Sequence, residues 1–307
     1  MRKMVLVPIL TVLALDLIAQ NDHSFTEIIY GRKDGIALTM LELKPNGKSN
    51  GKAIARVVAG NWFSSYDWAS SPDMLEMSKV LYTDRGFTVF EVVVGSQPRY
   101  AIPDEINDVK RAVRYIRYNA KQLGIDPNHI GIEGSSAGGN LSLAVATADD
   151  KMDTASKDPV DHVSSRVQAV AVLYPPTDFL NWGGAGNNVI GARSLQLQFH
   201  VYGAFDFRKF TDSTTTYDFV TDNRARDKIG KEISPMYSVS SDDPPVFIIH
   251  GDADPTVPLQ QSQTIIAKFK EAGVPNNFII KKGAKHNFND MLPEVKQFAD
   301  WFDKYLK

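Results

Sequence analysis

The stretch Ile130-Gly131-Ile132-Glu133-Gly134-Ser135-Ser136-Ala137-Gly138-Gly139-Asn140-Leu141 decides the fold. A short apolar run of β type, residues 129–132, leads into Gly134-Ser135-Ser136-Ala137-Gly138, and a helix-competent run, residues 140–146, follows directly. G-x-S-x-G between a strand and a helix is a nucleophile elbow, a sharp turn that lifts a serine hydroxyl above the end of a sheet. Gly134 and Gly138 flank Ser136 because side chains there would collide with the neighbouring strand or helix. The helix that begins at the serine aims its N-terminal N–H groups where negative charge would develop. The bare pattern arises by chance in about one chain of this length in ten, so its weight depends on the surrounding elements and on downstream partners.

Working outward, residues 25–32 and 36–44 alternate as strands around a Lys33-Asp34-Gly35 turn. Residues 53–58 read as a buried strand, 72–86 as a helix with proline in its first turn, and 87–94 as another strand. Residues 103–123 place Ile106, Val109, Val113 and Ile116 on one helical stripe, with Gly124 as the stop. Beyond the elbow, 167–173, 246–250 and 277–282 read as strands, and 259–272 and 293–306 as helices. Residues 176–243, rich in Gly, Asn, Thr and aromatics, are too long for a simple connection and read as an inserted cap over the site. The alternation of strand and helix predicts an α/β fold, a mostly parallel sheet with helices on both faces and an antiparallel first pair.

The totals are ordinary for a globular chain of 307 residues: 43% hydrophobic, 23% charged, formal net charge -2. No basic run suggests nucleic acid or a polybasic membrane patch. With no cysteine, disulfides, thiolate metal sites and a cysteine nucleophile are excluded. Arg2 and Lys3, the apolar stretch 4–18 and Ala19 read as a signal peptide, residues 1–20, and predict export to the periplasm or medium. Asp16 and Leu17 fit that pattern poorly, and a hydrophobic N-terminal element of a cytoplasmic protein is the alternative. No other run approaches the roughly 20 apolar residues of a membrane span.

A serine hydroxyl barely ionises at neutral pH, so it needs a histidine to take its proton and a carboxylate to fix that histidine's tautomer. In this kind of sheet the chain order is serine, acid, histidine, with each partner in a loop after a strand. The strand 246–250 is followed by Gly251-Asp252-Ala253-Asp254-Pro255, and the strand 277–282 by Gly283-Ala284-Lys285-His286-Asn287-Phe288. His286 is therefore the expected general base and acid. Asp254, deeper in its loop, is preferred as the acid over Asp252, which is expected to hold the turn through backbone N–H groups. His250 ends its strand and is expected to make a structural hydrogen bond. The Ala137 N–H supplies one oxyanion donor, and the loop after residue 58 should supply another, with Gly60 allowing close approach. This chemistry needs no metal and no organic cofactor.

The run Asp108-Val109-Lys110-Arg111-Ala112-Val113-Arg114-Tyr115-Ile116-Arg117 extends the pattern, as do Gly124-Ile125-Asp126-Pro127 and Gly134-Ser135-Ser136-Ala137-Gly138-Gly139-Asn140. So do His250-Gly251-Asp252-Ala253-Asp254-Pro255-Thr256-Val257-Pro258 and Gly283-Ala284-Lys285-His286. Together they resemble the α/β-hydrolase carboxylesterases related to hormone-sensitive lipase, and most of all bacterial acetyl esterases of the acetylxylan/feruloyl esterase type. The resemblance covers roughly residues 53–306. It implies a triad of Ser136, Asp254 and His286, an oxyanion hole from Gly60, Asn61 and Ala137, and a small-molecule or carbohydrate ester as substrate. Where the family has His-Gly-Gly-x-Trp, this chain has Val58-Ala59-Gly60-Asn61-Trp62, which keeps backbone donors and loses the loop histidine.

Trp62, Tyr66, Tyr100, Trp182 and Phe205 fall in loops expected around Ser136, and Trp62, Tyr100 and Trp182 are the candidate substrate-binding side chains. Arg99 is a candidate contact for an acidic or sugar group. Two rival functions share the scaffold. A serine peptidase of prolyl-oligopeptidase type usually carries a large N-terminal propeller, and about 50 residues precede Ala53 here. A non-catalytic binding protein generally lacks a triad member, whereas all three are present here.

Overall fold

The computed structural model describes residues 25–213 and 215–307; the expected leader, residues 1–20, lies outside them. The strands are β1 (Thr26–Lys33), β2 (Ile36–Leu43), β3 (Ala53–Val58), β4 (Thr88–Val93), β5 (Ile130–Ser135) and β6 (Ala169–Leu173). After them come a small hairpin, β7 (Arg208–Thr211) and β8 (Thr216–Phe219), and then β9 (Val246–Gly251) and β10 (Asn276–Lys281). The helices are α1 (Tyr66–Ala69), α2 (Pro72–Leu81), α3 (Ile102–Tyr118), α4 (Ala120–Leu123) and α5 (Ala137–Thr147). α6 (Arg193–Gln198), α7 (Asn223–Glu232), α8 (Gln260–Glu271), α9 (Leu292–Val295) and α10 (Gln297–Tyr305) complete the set.

Eight strands form one sheet in the order β1-β2-β4-β3-β5-β6-β9-β10. β2 runs antiparallel to both of its neighbours, and every other pairing in that sheet is parallel. This is the α/β-hydrolase fold. β3, β4, β5, β6 and β9 are near-continuous apolar runs because both faces of a parallel sheet are covered. Alternate side chains then serve two cores. Ala53, Ala55 and Val57 join the α3 stripe of Ile106, Val109, Val113 and Ile116 on one face. Ile54 and Val58 join Leu81 of α2 and Phe298 and Phe302 of α10 on the other.

The sheet order reverses at β3. The chain passes from β3 outward to β4, then returns to place β5 on the opposite side of β3. Such a switch point opens a crevice beyond the carboxyl ends of the two strands. The crevice lies between Val58, where the β3 loop begins, and Ser135, where the elbow begins.

Three elements differ from the sequence reading, the helix expected over 293–306 being broken at Lys296 into α9 and α10. The helix expected over 72–86 stops at Leu81, because Thr83–Arg85 tighten into a 3-10 turn that ends on Gly86 at φ 90. The helix expected over 103–123 breaks at Asn119 into α3 and α4. The segment between β6 and β9 carries α6, the β7–β8 hairpin and α7, and its Phe179, Ile190, Val201, Phe205 and Phe207 pack into the same core as Leu141 of α5. Among the described residues no helix is long and apolar enough to cross a membrane, and no three His, Asp or Glu side chains are grouped as metal ligands.

Candidate active site

Ser136 stands between β5 and α5 with φ 53 and ψ -121, a conformation that costs a non-glycine residue about 1–3 kcal/mol and persists only where the surroundings over-determine it. The surroundings do so. The Ser136 N–H donates to the Leu173 carbonyl at 2.9 Å, and the Gly138 N–H donates to the Ala59 carbonyl at 3.1 Å. A Cβ at Gly134 would lie 2.4 Å from the Gly138 carbonyl, and one at Gly138 would lie 2.4 Å from the Val57 carbonyl oxygen. Both glycines are therefore required by contact with backbone, which cannot move aside without shifting the elbow.

The loops after β9 and β10 bring Asp254 and His286 to the serine. The His286 Nδ1 lies 2.7 Å from Asp254 Oδ2, and its Nε2 lies 2.9 Å from Ser136 Oγ. A carboxylate only accepts, so Nδ1 carries the proton and Nε2 is left to accept from the serine hydroxyl. Asp254 Oδ1 accepts from the N–H groups of Thr256 and Val257 at 2.8 and 2.9 Å. Hydrogen bonds to both oxygens hold its carboxyl well below the usual carboxylate range, against the opposing effect of burial. Asp254 is thus an anion with one oxygen held by the loop N–H groups and the other set against the His286 imidazole, with His250 Nε2 also 3.4 Å from that second oxygen.

The neighbouring polar residues act as supports. His250 donates from Nε2 to the Val257 carbonyl at 2.9 Å and meets the Ser262 hydroxyl at Nδ1 at 2.7 Å, so it is a buried strut under the acid loop. Asp252 Oδ1 accepts from the Gly283 N–H at 2.6 Å and links the acid loop to the histidine loop. Tyr174, held at φ 35, lays its ring 4.2 Å from the His286 ring and limits where the imidazole can tilt. Burial raises the Tyr174 hydroxyl pKa, so the phenol stays neutral beside the histidine.

The β3 loop corrects the reading of Gly60. Its N–H donates to the Phe63 carbonyl at 2.9 Å, and its own carbonyl accepts from the Phe63 N–H at 2.8 Å. Between them Asn61 and Trp62 have φ 51 and 55, the signature of a two-residue type I′ turn. The Gly60 N–H is consumed by that turn and is not available to an oxyanion. The Asn61 N–H belongs to the peptide whose carbonyl the turn draws toward Phe63, so a trans peptide aims it out of the turn. Among the described residues it has no acceptor, and neither has the Ala137 N–H at the first turn of α5. Asn61 tolerates φ > 0 readily, and Trp62 does not. Trp62 is held there by its Nε1, which donates to Asn140 Oδ1 at 3.2 Å, and by Phe179 and Phe205, each 5.6 Å away between ring centroids.

A narrow pocket of about 40 Å³ opens on Ser136 and is walled by Trp62, Phe179, Trp182, Phe199, Val201 and Phe205. Of the aromatics expected around the serine, Trp62, Trp182 and Phe205 line it. Tyr100 does not: it is buried beneath Lys33, whose Nζ lies 3.9 Å from its ring centroid, on the far side of the β4 loop. Tyr66 sits on the exposed face of α1, and Arg99 donates to the Asp34 carbonyl of the first hairpin. Tyr100 and Arg99 leave the substrate set because the β4 loop turns them toward the first hairpin, and Tyr66 because α1 holds it on the surface. A larger depression of about 800 Å³ lies between α2 and α9, floored by Arg56 and Glu133, and includes none of Ser136, Asp254 or His286. The sequence reading missed Asn140, Phe199, Val201 and Gln97. Asn140 carried a signal in its place within the run 134–140, and the structure shows it as a polar side chain in a helix whose every residue is buried.

The BD-FAE family model matches residues 41–269. Esterase LipQ of Mycobacterium tuberculosis is 29% identical over 214 residues, covering 69% of this chain and 45% of LipQ. Isoprenylcysteine alpha-carbonyl methylesterase ICME of Arabidopsis thaliana is 23% identical over 260 residues, covering 84% of this chain and 55% of that protein. The chain thus spans about half the length of these relatives. Among solved structures, a truncated carbohydrate esterase from gut microbiota superposes with a TM-score of 0.72 at 26% identity, covering 93% of this chain and 98% of that one. An acetyl ester-xyloside bifunctional hydrolase from Caldicellulosiruptor lactoaceticus shares the fold, with a TM-score of 0.66 at 22% identity over 92% of this chain and 94% of its own.

Proposed function

The chain belongs to the BD-FAE family, and from that premise we propose that it is a serine carboxylester hydrolase acting on short-chain acyl esters. The observation that carries the proposal is the continuous path Asp254 Oδ2 to His286 to Ser136 Oγ, at 2.7 and 2.9 Å. Ser136 Oγ attacks the ester carbonyl as its proton passes to His286 Nε2. The tetrahedral oxyanion is received by the Asn61 and Ala137 N–H groups, each of which is worth about 3 kcal/mol if it follows other oxyanion donors. The imidazolium, stabilised by the Asp254 anion, returns the proton to the departing alkoxide. Water, deprotonated by the same imidazole, then hydrolyses the acyl-enzyme.

Acetyl is the favoured acyl group over feruloyl. The pocket over Ser136 is narrow, about 40 Å³, and walled largely by aromatic side chains, which suits a small acyl group such as acetyl. The alcohol, which we read as a carbohydrate hydroxyl, lies on the open side toward the histidine loop. Likeness to a carbohydrate esterase at 26% identity supports that choice. Residues 176–243 act in this reading as a cap that supplies most of the acyl cavity wall. Residues 1–20 act as an export signal, a reading checked by N-terminal sequencing of the mature protein after cell fractionation.

The deciding experiment is labelling with a fluorophosphonate, followed by peptide mapping, alongside turnover of p-nitrophenyl acetate and acetylated xylan. Label on Ser136, lost in Ser136→Ala together with turnover while the circular dichroism spectrum is kept, is the expected result. Turnover by Ser136→Ala, or absence of label on the wild type, refutes the reading.

A further inference from the structure

We propose that Gln97 is a positioning residue for the oxyanion hole, one that makes the hole's geometry depend on the inserted segment over the acyl cavity. The proposal rests on the hydrolase reading above and adds to it a residue outside the triad. Gln97 lies in the loop after β4, and the Gly95 N–H of the same loop is fixed by Asp108 at 2.8 Å. From this anchored loop Gln97 reaches two other parts of the chain at once. Its backbone N–H donates to the Trp62 carbonyl at 3.0 Å. Its Nε2 donates to the Asn61 carbonyl at 2.6 Å and to the His200 carbonyl at 2.8 Å. Its Oε1 accepts from the Gly203 and Ala204 N–H groups at 3.0 and 3.2 Å.

A primary amide has two N–H donors and two acceptor lone pairs, and all four are in use. The assignment of oxygen and nitrogen is forced, because two partners are carbonyls and two are N–H groups. The two peptides that follow the donor peptide 60–61 in the type I′ turn, 61–62 and 62–63, are therefore gripped by one residue. The Asn61 side chain adds a direct link, its Nδ2 donating to the Phe199 carbonyl at 3.3 Å. The contact is close enough that a Cβ on Gly203 would fall 2.5 Å from the Pro98 Cα and 3.0 Å from Gln97 Oε1.

A left-handed tryptophan at position 62 is not a conformation the turn holds by itself. If the grip is released, the 61–62 and 62–63 peptides lose their carbonyl partners, Phe63 is less firmly set against the Gly60 carbonyl, and the 60–61 peptide that carries the Asn61 N–H can tilt away from the oxyanion. The residues on the other side of the grip, 199–205, include Phe199, Val201 and Phe205 of the acyl cavity wall. Closure of that wall and alignment of the donor are thus one event.

The test compares wild type, Gln97→Ala and Gln97→Glu on p-nitrophenyl acetate, with inhibition by a trifluoromethyl ketone that forms a tetrahedral adduct. Gln97→Glu is isosteric and keeps an oxygen for Gly203 and Ala204. It sets a second oxygen against the Asn61 and His200 carbonyls, so only the donor half of the grip is lost. Both variants are expected to lose at least tenfold in kcat, with KM within about twofold, approaching the roughly 100-fold loss seen when an oxyanion donor is removed. Affinity for the ketone should fall in step with kcat. A purely structural role would lower the melting temperature and leave the kcat and ketone affinity of the folded fraction at wild-type values, and that outcome overturns the proposal. Should Gln97→Ala fail to fold, Gln97→Glu decides alone. An inactive, unlabelled wild type would instead defeat the hydrolase reading, so the two failures are distinguishable.

Discussion

Asp254→Asn should inactivate the protein more completely than its near-identity of shape suggests. Asp254 Oδ1 is committed to two N–H groups, those of Thr256 and Val257, at 2.8 and 2.9 Å. An asparagine must keep its carbonyl oxygen there, since turning the NH2 toward two donors would lose both bonds. The NH2 is then forced into the Oδ2 position, 2.7 Å from His286 Nδ1. It donates to that nitrogen, and the imidazole proton moves to Nε2, 2.9 Å from Ser136 Oγ. A protonated Nε2 cannot accept the serine proton. The expected loss in kcat is about 10,000-fold, or about 5.5 kcal/mol of transition-state stabilisation, as for other triads locked in the wrong tautomer. Asp254→Ala frees the imidazole to choose its tautomer, so it should retain more activity per folded molecule while losing the loop bonds and some stability. The assay is kcat/KM for p-nitrophenyl acetate between pH 7 and 8, with circular dichroism to confirm folding. Activity of Asp254→Asn within tenfold of wild type, or above that of Asp254→Ala, refutes the tautomer argument.

Three further outcomes follow from the geometry. Because the Asp254 pKa is depressed in the folded state, it stabilises the fold above the unfolded value of about 3.9 and ceases to as pH falls below it. The stability gap between wild type and Asp254→Asn, measured by denaturant unfolding, should therefore be full at pH 7 and narrow below about pH 4; a gap that does not change refutes this. Arg56 donates to Glu133 at 2.6 Å and to Glu91 at 3.1 Å in the sheet interior, so Arg56→Met should cost about 3–5 kcal/mol at pH 8. Burial already raises both glutamate pKa values, so in that variant they protonate and the loss should shrink toward pH 5; equal loss at both pH values counts against it. Trp182→Ala opens the acyl cavity, and at about 0.8 kcal/mol per methylene the butyrate-to-acetate ratio of kcat/KM should rise about fifteenfold, whereas an unchanged ratio would place the acyl chain elsewhere.

Much of the fold was legible because its signals are local. Continuous apolar strands, an α3 stripe at helical spacing and a stop glycine at 124 are written in neighbouring residues. The inserted segment could be recognised only by its failure to fit that rhythm. The loop chemistry was harder. Gly60 looked like the donor because glycine permits close approach, yet the partner that takes its N–H, Phe63, is set by a turn whose two positive-φ residues include a tryptophan. No propensity would put tryptophan there; Asn140 and the ring cage of Phe179 and Phe205 do.

The sequence alone determined the sheet, the elbow at Ser136 and the loops that carry Asp254 and His286, because strand order and turn glycines constrain where a chain can place its ends. Tertiary structure alone decided which backbone N–H is left open for an oxyanion, which aromatics reach the serine and which turn toward the first hairpin. It also decided that Gln97 joins the β3 loop to the inserted segment. That last link depends on hydrogen bonds between residues 36 to 107 positions apart, and no local pattern encodes a partner at that distance.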